Sequence, residues 1–183
     1  MDVWTDEWDQ SRVERRSIVS MRRIATELMQ LDEDEAALYA YAAEHGLTVN
    51  EAVYYLNAYQ YGGETGLQAI RNPDIIPADR ARRAIKTVAR MLDDHFEGLI
   101  PTRITDEGTA IGVNHIQQRM NGESFLFAIC QLRLTLADNH WHLYWMRKFD
   151  AWWPYSLPPT GRKFTLRARM QQVLDDEYGC FWV

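Results

Sequence analysis

The five histidines of this chain are its first candidates for metal or acid–base chemistry. His140 and His142 are two residues apart, which places them on one face of a predicted strand, and His115 or Glu123 could add a further ligand. A metal site needs three or four converging ligands, and this spacing contains no established metal-binding motif. We therefore expect neither a metal site nor a cofactor.

The remaining reactive side chains are equally isolated in the sequence. The acidic residues and histidine at positions 93–95 follow one another on a predicted helix, where successive side chains diverge by about 100°, so they do not face one point. Ser124 and Ser156 have no recognisable base partner. Cys130 and Cys180 lack the spacing of a zinc or redox motif, so we interpret them as reduced structural thiols. We name no catalytic residue and favour a non-enzymatic role.

Two groups of basic and aromatic residues are the candidates for binding a partner or a nucleic acid. The first group occupies the early turns of a predicted helix and comprises Arg80, Arg82, Arg83, Lys86 and Arg90. The second group belongs to two predicted strands and comprises Arg147, Lys148, Trp152 and Trp153. The first group could pair with acidic residues earlier in the chain or contact phosphates. We expect the two tryptophans to be exposed, where aromatic rings can stack bases at roughly 1–3 kcal/mol per base.

The elements that precede these residues are helical. Residues 1–30 are predicted to form an N-terminal arm and an amphipathic helix, which begins at Ser11 because Ser11-Arg-Val-Glu14 has the pattern of a capping box. Residues 31–78 are predicted to form an acidic set of helices, in which Thr48-Val-Asn-Glu51 is a second capping box and Gly62-Gly63 ends a helix. Helix, glycine-containing turn and helix together indicate a helix-turn-helix-like module.

Residues 32–70 resemble the helix-turn-helix of bacterial transposases and related regulators. The resemblance is carried by the run from His45 to Leu67, which ends in Tyr61-Gly-Gly-Glu-Thr-Gly-Leu. It implies DNA binding, but the residues from Leu31 to Ala78 contain eight carboxylates against a single cation, Arg71. DNA-binding proteins gain much of their affinity by neutralising phosphates. The charge therefore favours a structural or protein-binding role for this module.

Residues 79–183 are predicted to form a long helix, an antiparallel sheet and a C-terminal helix. Alternating apolar residues indicate four strands: Ile111–Gln118, Phe125–Leu136, Trp141–Lys148 and Trp152–Tyr155. Short turns at Asn121-Gly122, Asp138-Asn139 and Phe149-Asp150 make a meander the simplest topology. We expect the long helix to cover one face of the sheet and the C-terminal helix, about Thr165 to Asp176, to cover part of the other. The predicted fold class is α+β, with a four-stranded sheet flanked by helices.

The C-terminal half is similar to a bacterial domain family of unknown function. The similarity covers about Ala81 to Tyr155 and is carried by Cys130-Gln-Leu-Arg-Leu-Thr-Leu, by Trp141-His-Leu-Tyr-Trp-Met-Arg147 and by Trp152-Trp-Pro-Tyr155. The family is marked by a Trp-x-Leu-Tyr-Trp-x-Arg strand. The resemblance implies a helix plus an antiparallel sheet, in bacterial regulatory or mobile-element contexts, and implies no activity.

Composition places the chain among ordinary globular proteins. It has 183 residues, 46% of them hydrophobic and 25% charged, with a net charge of −6. No apolar run approaches the roughly 20 residues that span a bilayer, and the acidic N-terminus is unlike a signal peptide, so we expect a cytoplasmic protein without membrane contact.

These observations lead to two alternative functions. The net negative charge favours an accessory or adaptor protein that acts through protein–protein contacts. The amphipathic first helix and the two N-terminal tryptophans, Trp4 and Trp8, indicate a homodimer. The alternative is a regulator that binds nucleic acid through its arginine clusters and the aromatics of the sheet.

Overall fold

The structure is a computed structural model that describes residues 8–31, 34–147 and 150–182. The chain forms two compact units. The first runs to Asn72 and includes Pro154–Leu157, and the second comprises Pro73–Trp153 and the residues from Pro158 onwards. Helices build the first unit, and an antiparallel sheet with two α-helices builds the second. The predicted α+β class is therefore confirmed.

Two short helices open the first unit, α1 (Gln10–Arg15) and α2 (Ile18–Leu28). Asp9 caps α1, and Ser17 caps α2 by accepting a hydrogen bond from the backbone N–H of Ser20. The Ser11 hydroxyl donates to the Asp9 carboxylate over 2.7 Å, so Ser11 is not the cap. The prediction of one helix beginning at Ser11 is wrong. Asp9 caps α1 before Ser11, and Ser17 caps the separate helix α2 after it.

Two further helices complete this unit, α3 (Glu35–Glu44) and α4 (Val49–Arg71). The predicted capping box at the start of α4 is present: Thr48 accepts from the Glu51 N–H, and the Glu51 carboxylate accepts from the Thr48 N–H. Gly63 interrupts α4 with φ 57° and ψ −146°, a conformation that L-residues with a Cβ rarely adopt. The predicted end of a helix at the glycine pair thus takes the form of a kink.

Buried polar residues of α4 connect it to α1. Glu51 is almost fully buried, and its carboxylate lies 2.8 Å from Nε of Arg12. The buried Tyr55 donates its hydroxyl to the carbonyl of Val13 over 3.1 Å. Burial also raises the pKa of Tyr55. These bonds fix α1 against the middle of the helical unit.

The second unit contains five strands in the order β1-β2-β3-β4-β5. They are β1 (Thr102–Asp106), β2 (Ala110–Gln118), β3 (Ser124–Thr135), β4 (His140–Arg147) and β5 (Ala151–Pro154). The meander is confirmed, but the prediction of four strands is wrong. It missed β1, which pairs antiparallel with β2 from Thr102–His115 to Asp106–Ile111.

Two helices pack with this sheet, α5 (Ala78–Phe96) and α6 (Leu166–Asp175), and a short 3₁₀ turn at Thr160–Arg162 precedes α6. α5 contacts β1, β2 and α6, while α6 contacts β3 and β4. The two helices touch each other, so the prediction that they cover opposite faces of the sheet is wrong. The buried apolar side chains of α5 are Ala81, Ala84, Val88 and Leu92, and those of α6 are Met170, Val173 and Leu174.

None of the helices in the described ranges combines the length and the apolar character needed to cross a membrane. α5 shows the reason, because its exposed side carries Arg82, Lys86 and Arg90 at intervals of four residues.

Candidate functional site

The cations of α5 divide into paired and unpaired residues. Arg83 forms an ion pair of 2.7 Å with Asp79, one turn earlier in the same helix, and Arg80 donates to the side chain of Asn139. Arg82, Lys86 and Arg90 are exposed and form no ion pair with the described residues of their unit.

We refer to Arg82, Lys86 and Arg90 as the basic row. Their four-residue spacing places them on one side of the helix, and they extend over about 12 Å at 1.5 Å per residue. The basic row is thus a linear array of unneutralised positive charge.

Arg147 lies in an aromatic setting. Its guanidinium carbon is 5.2 Å from the ring centroid of Trp145 and 4.5 Å from that of Trp153, distances typical of cation–π contacts. Burial lowers the pKa of Arg147. The structure therefore brings Arg147 and Trp153 together, but as a packed cluster.

The other members of the second predicted group differ in exposure. Trp153 is only 4% exposed, so the expectation that it is exposed is wrong, and Trp152 is half-buried. One face of its ring contacts the Arg147 guanidinium. Lys148 lies outside the described residues.

A row of buried polar residues lies on β3 and β4. Arg133 donates through Nε to Gln131 over 2.8 Å, and Gln131 donates to the Glu107 carboxylate over 2.6 Å. The Arg133 guanidinium also lies 4.0 Å from the ring centroid of Tyr144. Gly112 makes room for Glu107, since a Cβ at that position would lie 2.1 Å from Oε1 of the carboxylate. Gln131 and Arg133 alternate with leucines on β3, which was the available signal for a polar face.

The same face contains a second network around Thr135 and His142. The Thr135 hydroxyl lies 2.7 Å from a carboxylate oxygen of Asp138 and 2.9 Å from Nε2 of His142. A carboxylate only accepts, so the single hydroxyl proton points to Asp138, and Nε2 of His142 must donate. Burial, and next the charge of Arg169, lower the pKa of His142 to about 3. His142 is therefore a neutral hydrogen-bond donor here and has no free lone pair at Nε2 to act as a base.

The end of the β2–β3 hairpin has exposed apolar side chains. We call residues 116–128 the hairpin tip. Leu126 is 42% exposed, Phe127 is 38% exposed and Met120 is fully exposed. β3 pairs antiparallel with β2 from Arg133 to Ser124. Within the described residues, the tip is a strand pair with exposed apolar side chains.

Comparison with known proteins places most of this unit in one family. A family model described as "Domain of unknown function (DUF3024)" matches residues 75–183, more than half of the chain. The chain belongs to the DUF3024 family. This match is consistent with the resemblance of the C-terminal half to a domain family of unknown function. No curated protein and no solved structure matches the chain.

The DUF3024 region contains all of these candidate sites. They are the basic row, the hairpin tip, the Arg147 cluster of Arg147 with Trp145 and Trp153, and the buried polar row of Gln131 and Arg133. Among the described residues, no three or more His, Cys, Asp or Glu side chains form a group that could hold a metal ion. His140 pairs instead with Asp138 at 2.8 Å. What this region offers on its surface is apolar area and positive charge.

Proposed function

We propose that this protein is a non-enzymatic accessory or adaptor protein of the bacterial cytoplasm that acts through protein–protein contacts, with the hairpin tip as its contact surface. The exposure of Leu126 and Phe127 at the end of the β2–β3 strand pair carries this proposal. Exposed clusters of large apolar side chains commonly mark interaction surfaces.

Self-association as a homodimer is part of this proposal. The segment Ser124-Phe-Leu-Phe-Ala128 contains no charged residue, so the tips of two copies could pack together without placing like charges opposite each other. The N-terminal tryptophans are less suited to this role than the sequence indicated. Trp8 packs against Tyr54 of its own unit with ring centroids 5.1 Å apart, and Trp4 lies outside the described residues.

Two resemblances support the proposed bacterial regulatory or mobile-element context. The Trp141–Arg147 segment has the Trp-x-Leu-Tyr-Trp-x-Arg pattern and forms β4. In the helical unit, α3, the turn containing Gly46 and α4 follow the order of a helix-turn-helix. The excess of carboxylates in this segment favours protein over DNA as its partner.

Replacing Leu126 and Phe127 together by glutamate should abolish partner binding without unfolding the protein. Both side chains are exposed, so their removal costs little packing, whereas two carboxylates oppose apolar contact. We expect sedimentation velocity to show a loss of self-association. Quantitative affinity purification from the native host should show that co-purifying proteins fall at least tenfold, the effect of losing about 1.4 kcal/mol of binding free energy.

The matched control replaces Leu99 and Leu136 by glutamate. Both are exposed apolar residues of the same unit, outside the hairpin tip, and the change in net charge is identical. Equal recovery of partners and equal self-association by the two double variants would contradict the proposed role of the tip.

The basic row supports a second candidate function, a regulator that binds nucleic acid. The three cations are exposed and have no ion pair within the described part of their unit, which is the arrangement that contacts with phosphates require. Arg80, Arg83 and the Arg147 cluster are less available because each already has a partner.

Changing Arg82, Lys86 and Arg90 together to glutamine tests this second function. If the basic row contacts phosphates, duplex DNA binding at low salt should be lost. The slope of log affinity against log salt should fall by about 0.9 per contact removed. Gel shifts and fluorescence anisotropy would measure both effects at salt concentrations from about 50 to 200 mM, where the affinity for DNA depends steeply on salt.

The control exchanges three other exposed cations of the same unit, Arg103, Lys163 and Arg167, for glutamine. The net charge changes equally, so only a specific role of the basic row distinguishes the variants. Absence of DNA binding by the unmodified protein at low salt would dismiss this second function.

A further inference from the structure

The helical unit contains a cavity that the proposed function does not use. It has a volume of about 490 Å³ and lies among the end of α2, the beginning of α3 and the middle of α4. This volume is within the roughly 300–1,000 Å³ typical of small-molecule sites. The cavity is thus large enough for a compact organic molecule.

Apolar side chains provide most of the cavity wall. Leu28, Leu31, Leu38 and Leu56 line it. Leu28 is buried and the other three are half-buried, so the wall is held by the packing of the unit and is also accessible from outside. Such a wall favours a ligand with a substantial apolar body.

The charge at the cavity is negative. Asp34 and Glu35 line it, both are exposed, and no described lining residue is basic. One oxygen of Asp34 accepts a hydrogen bond from the Ala36 N–H as the cap of α3. Glu35 has no hydrogen bond or ion pair with any described residue. Glu35 is therefore the carboxylate that can face a ligand.

The adjoining sequence has the same sign, since residues 32–35 are four consecutive carboxylates. A cleft with low-dielectric walls concentrates the field of such charges and attracts cations. A small, strongly hydrated metal ion would not use the leucine wall, and an anion would be repelled. Only a ligand that combines an apolar body with a positive charge uses both features.

We propose that this cavity binds a compact lipophilic organic cation. The leucine wall takes up the apolar body, and Glu35 faces the charge at the rim. This site is separate from the hairpin tip and the basic row, so it does not depend on the proposed function of the DUF3024 region.

Tetraphenylphosphonium is a suitable probe because tetraphenylborate has nearly the same shape with the opposite charge. Isothermal titration calorimetry on the full chain should show saturable binding of tetraphenylphosphonium and none of tetraphenylborate. Glu35→Gln should weaken tetraphenylphosphonium about fivefold, and added salt should weaken it further. Leu38→Phe, which fills the cavity, should weaken it at least tenfold.

Glu44→Gln is the matched control, since Glu44 is an exposed carboxylate at the opposite end of α3 and does not line the cavity. It should bind the probe like the unmodified protein. Circular dichroism on each variant confirms that α-helix content is retained. Equal binding of the two probes, equal loss in Glu35→Gln and Glu44→Gln, or no binding of tetraphenylphosphonium would each overturn the proposal.

Discussion

Replacing Gly66 by alanine is expected to lower the free energy of unfolding of the helical unit by about 3 kcal/mol or more. A Cβ at Gly66 would lie 2.0 Å from the carbonyl oxygen of Ala58, which is backbone and cannot rotate away. In a straight helix these residues would be about 12 Å apart, because each residue rises 1.5 Å. The kink at Gly63 brings them together, so relief of the clash requires the kink itself to open.

Urea denaturation followed by circular dichroism measures this loss, and Gly46→Ala provides the comparison within the same unit. Gly46 has φ 63°, and nothing lies within 4 Å of an added Cβ, so only backbone strain of about 1 kcal/mol is expected. If the two variants lose similar stability, then close approach at Gly66 does not hold the kink.

Replacing Arg169 by methionine should lower the free energy of unfolding of the sheet unit by about 2–4 kcal/mol. Arg169 is 3% exposed, donates to the carbonyl of Trp141 over 3.0 Å and to Gln172 over 2.9 Å, and lies over the ring of Phe164. Burial lowers its pKa to about 10, so it stays charged at neutral pH. Methionine occupies similar space but leaves both acceptors without this donor.

The same substitution should change the response of the protein to acid through His142. Burial and then the Arg169 charge hold the pKa of His142 at about 3, below its ordinary value of 6.5. Between these values the unfolded chain binds a proton that the folded protein does not. Stability therefore falls as pH decreases from 6.5 towards 3, by up to about 1.4 kcal/mol per pH unit.

In Arg169→Met the pKa of His142 should rise. The fall in stability with decreasing pH should then stop at a higher pH than in the unmodified protein. Urea denaturation at several pH values and NMR titration of the imidazole would measure the two effects. Arg167→Met, an exposed neighbour, should leave both unchanged. An unaltered His142 titration in Arg169→Met would show that burial alone sets its pKa.

Local sequence patterns predicted the regular elements whose signals are short-range. The Thr48 capping box and the turn at Asn121-Gly122, where Gly122 has φ 85°, both depend on residues within a few positions of each other. The first helix was harder because two serines and an aspartate compete as caps. Only the three-dimensional arrangement shows that Ser11 bonds to Asp9 and leaves Ser17 to begin a second helix.

β1 could not be predicted from periodicity. Thr-Arg-Ile-Thr-Asp contains one apolar residue, Ile104, and none of its five residues is buried, so the alternation that marks a half-buried strand is absent. Its pairing with β2, a long-range interaction, makes it a strand.

The sequence predicted which residue types are candidates for binding, but it predicted their pairing and burial only in part. The four-residue spacing of the basic row places its members on one helix side from the sequence alone. Which arginines are paired depends on the structure, since Asn139 is distant in sequence from Arg80. Strand alternation alone did not predict the burial of Trp153 or the exposure of Phe127, because burial depends on contacts that are distant in sequence.

Pro154–Leu157 belong to the helical unit, although the residues before and after them belong to the sheet unit. This affects the order in which the two units can be completed during synthesis. A ribosome that has synthesised the first 72 residues has not yet supplied all parts of the first unit. It must first translate the sheet unit as far as Trp153, and only then Pro154–Leu157. Neither unit is therefore complete until late in synthesis. A fragment that ends at Asn72 would lack four residues of the helical unit.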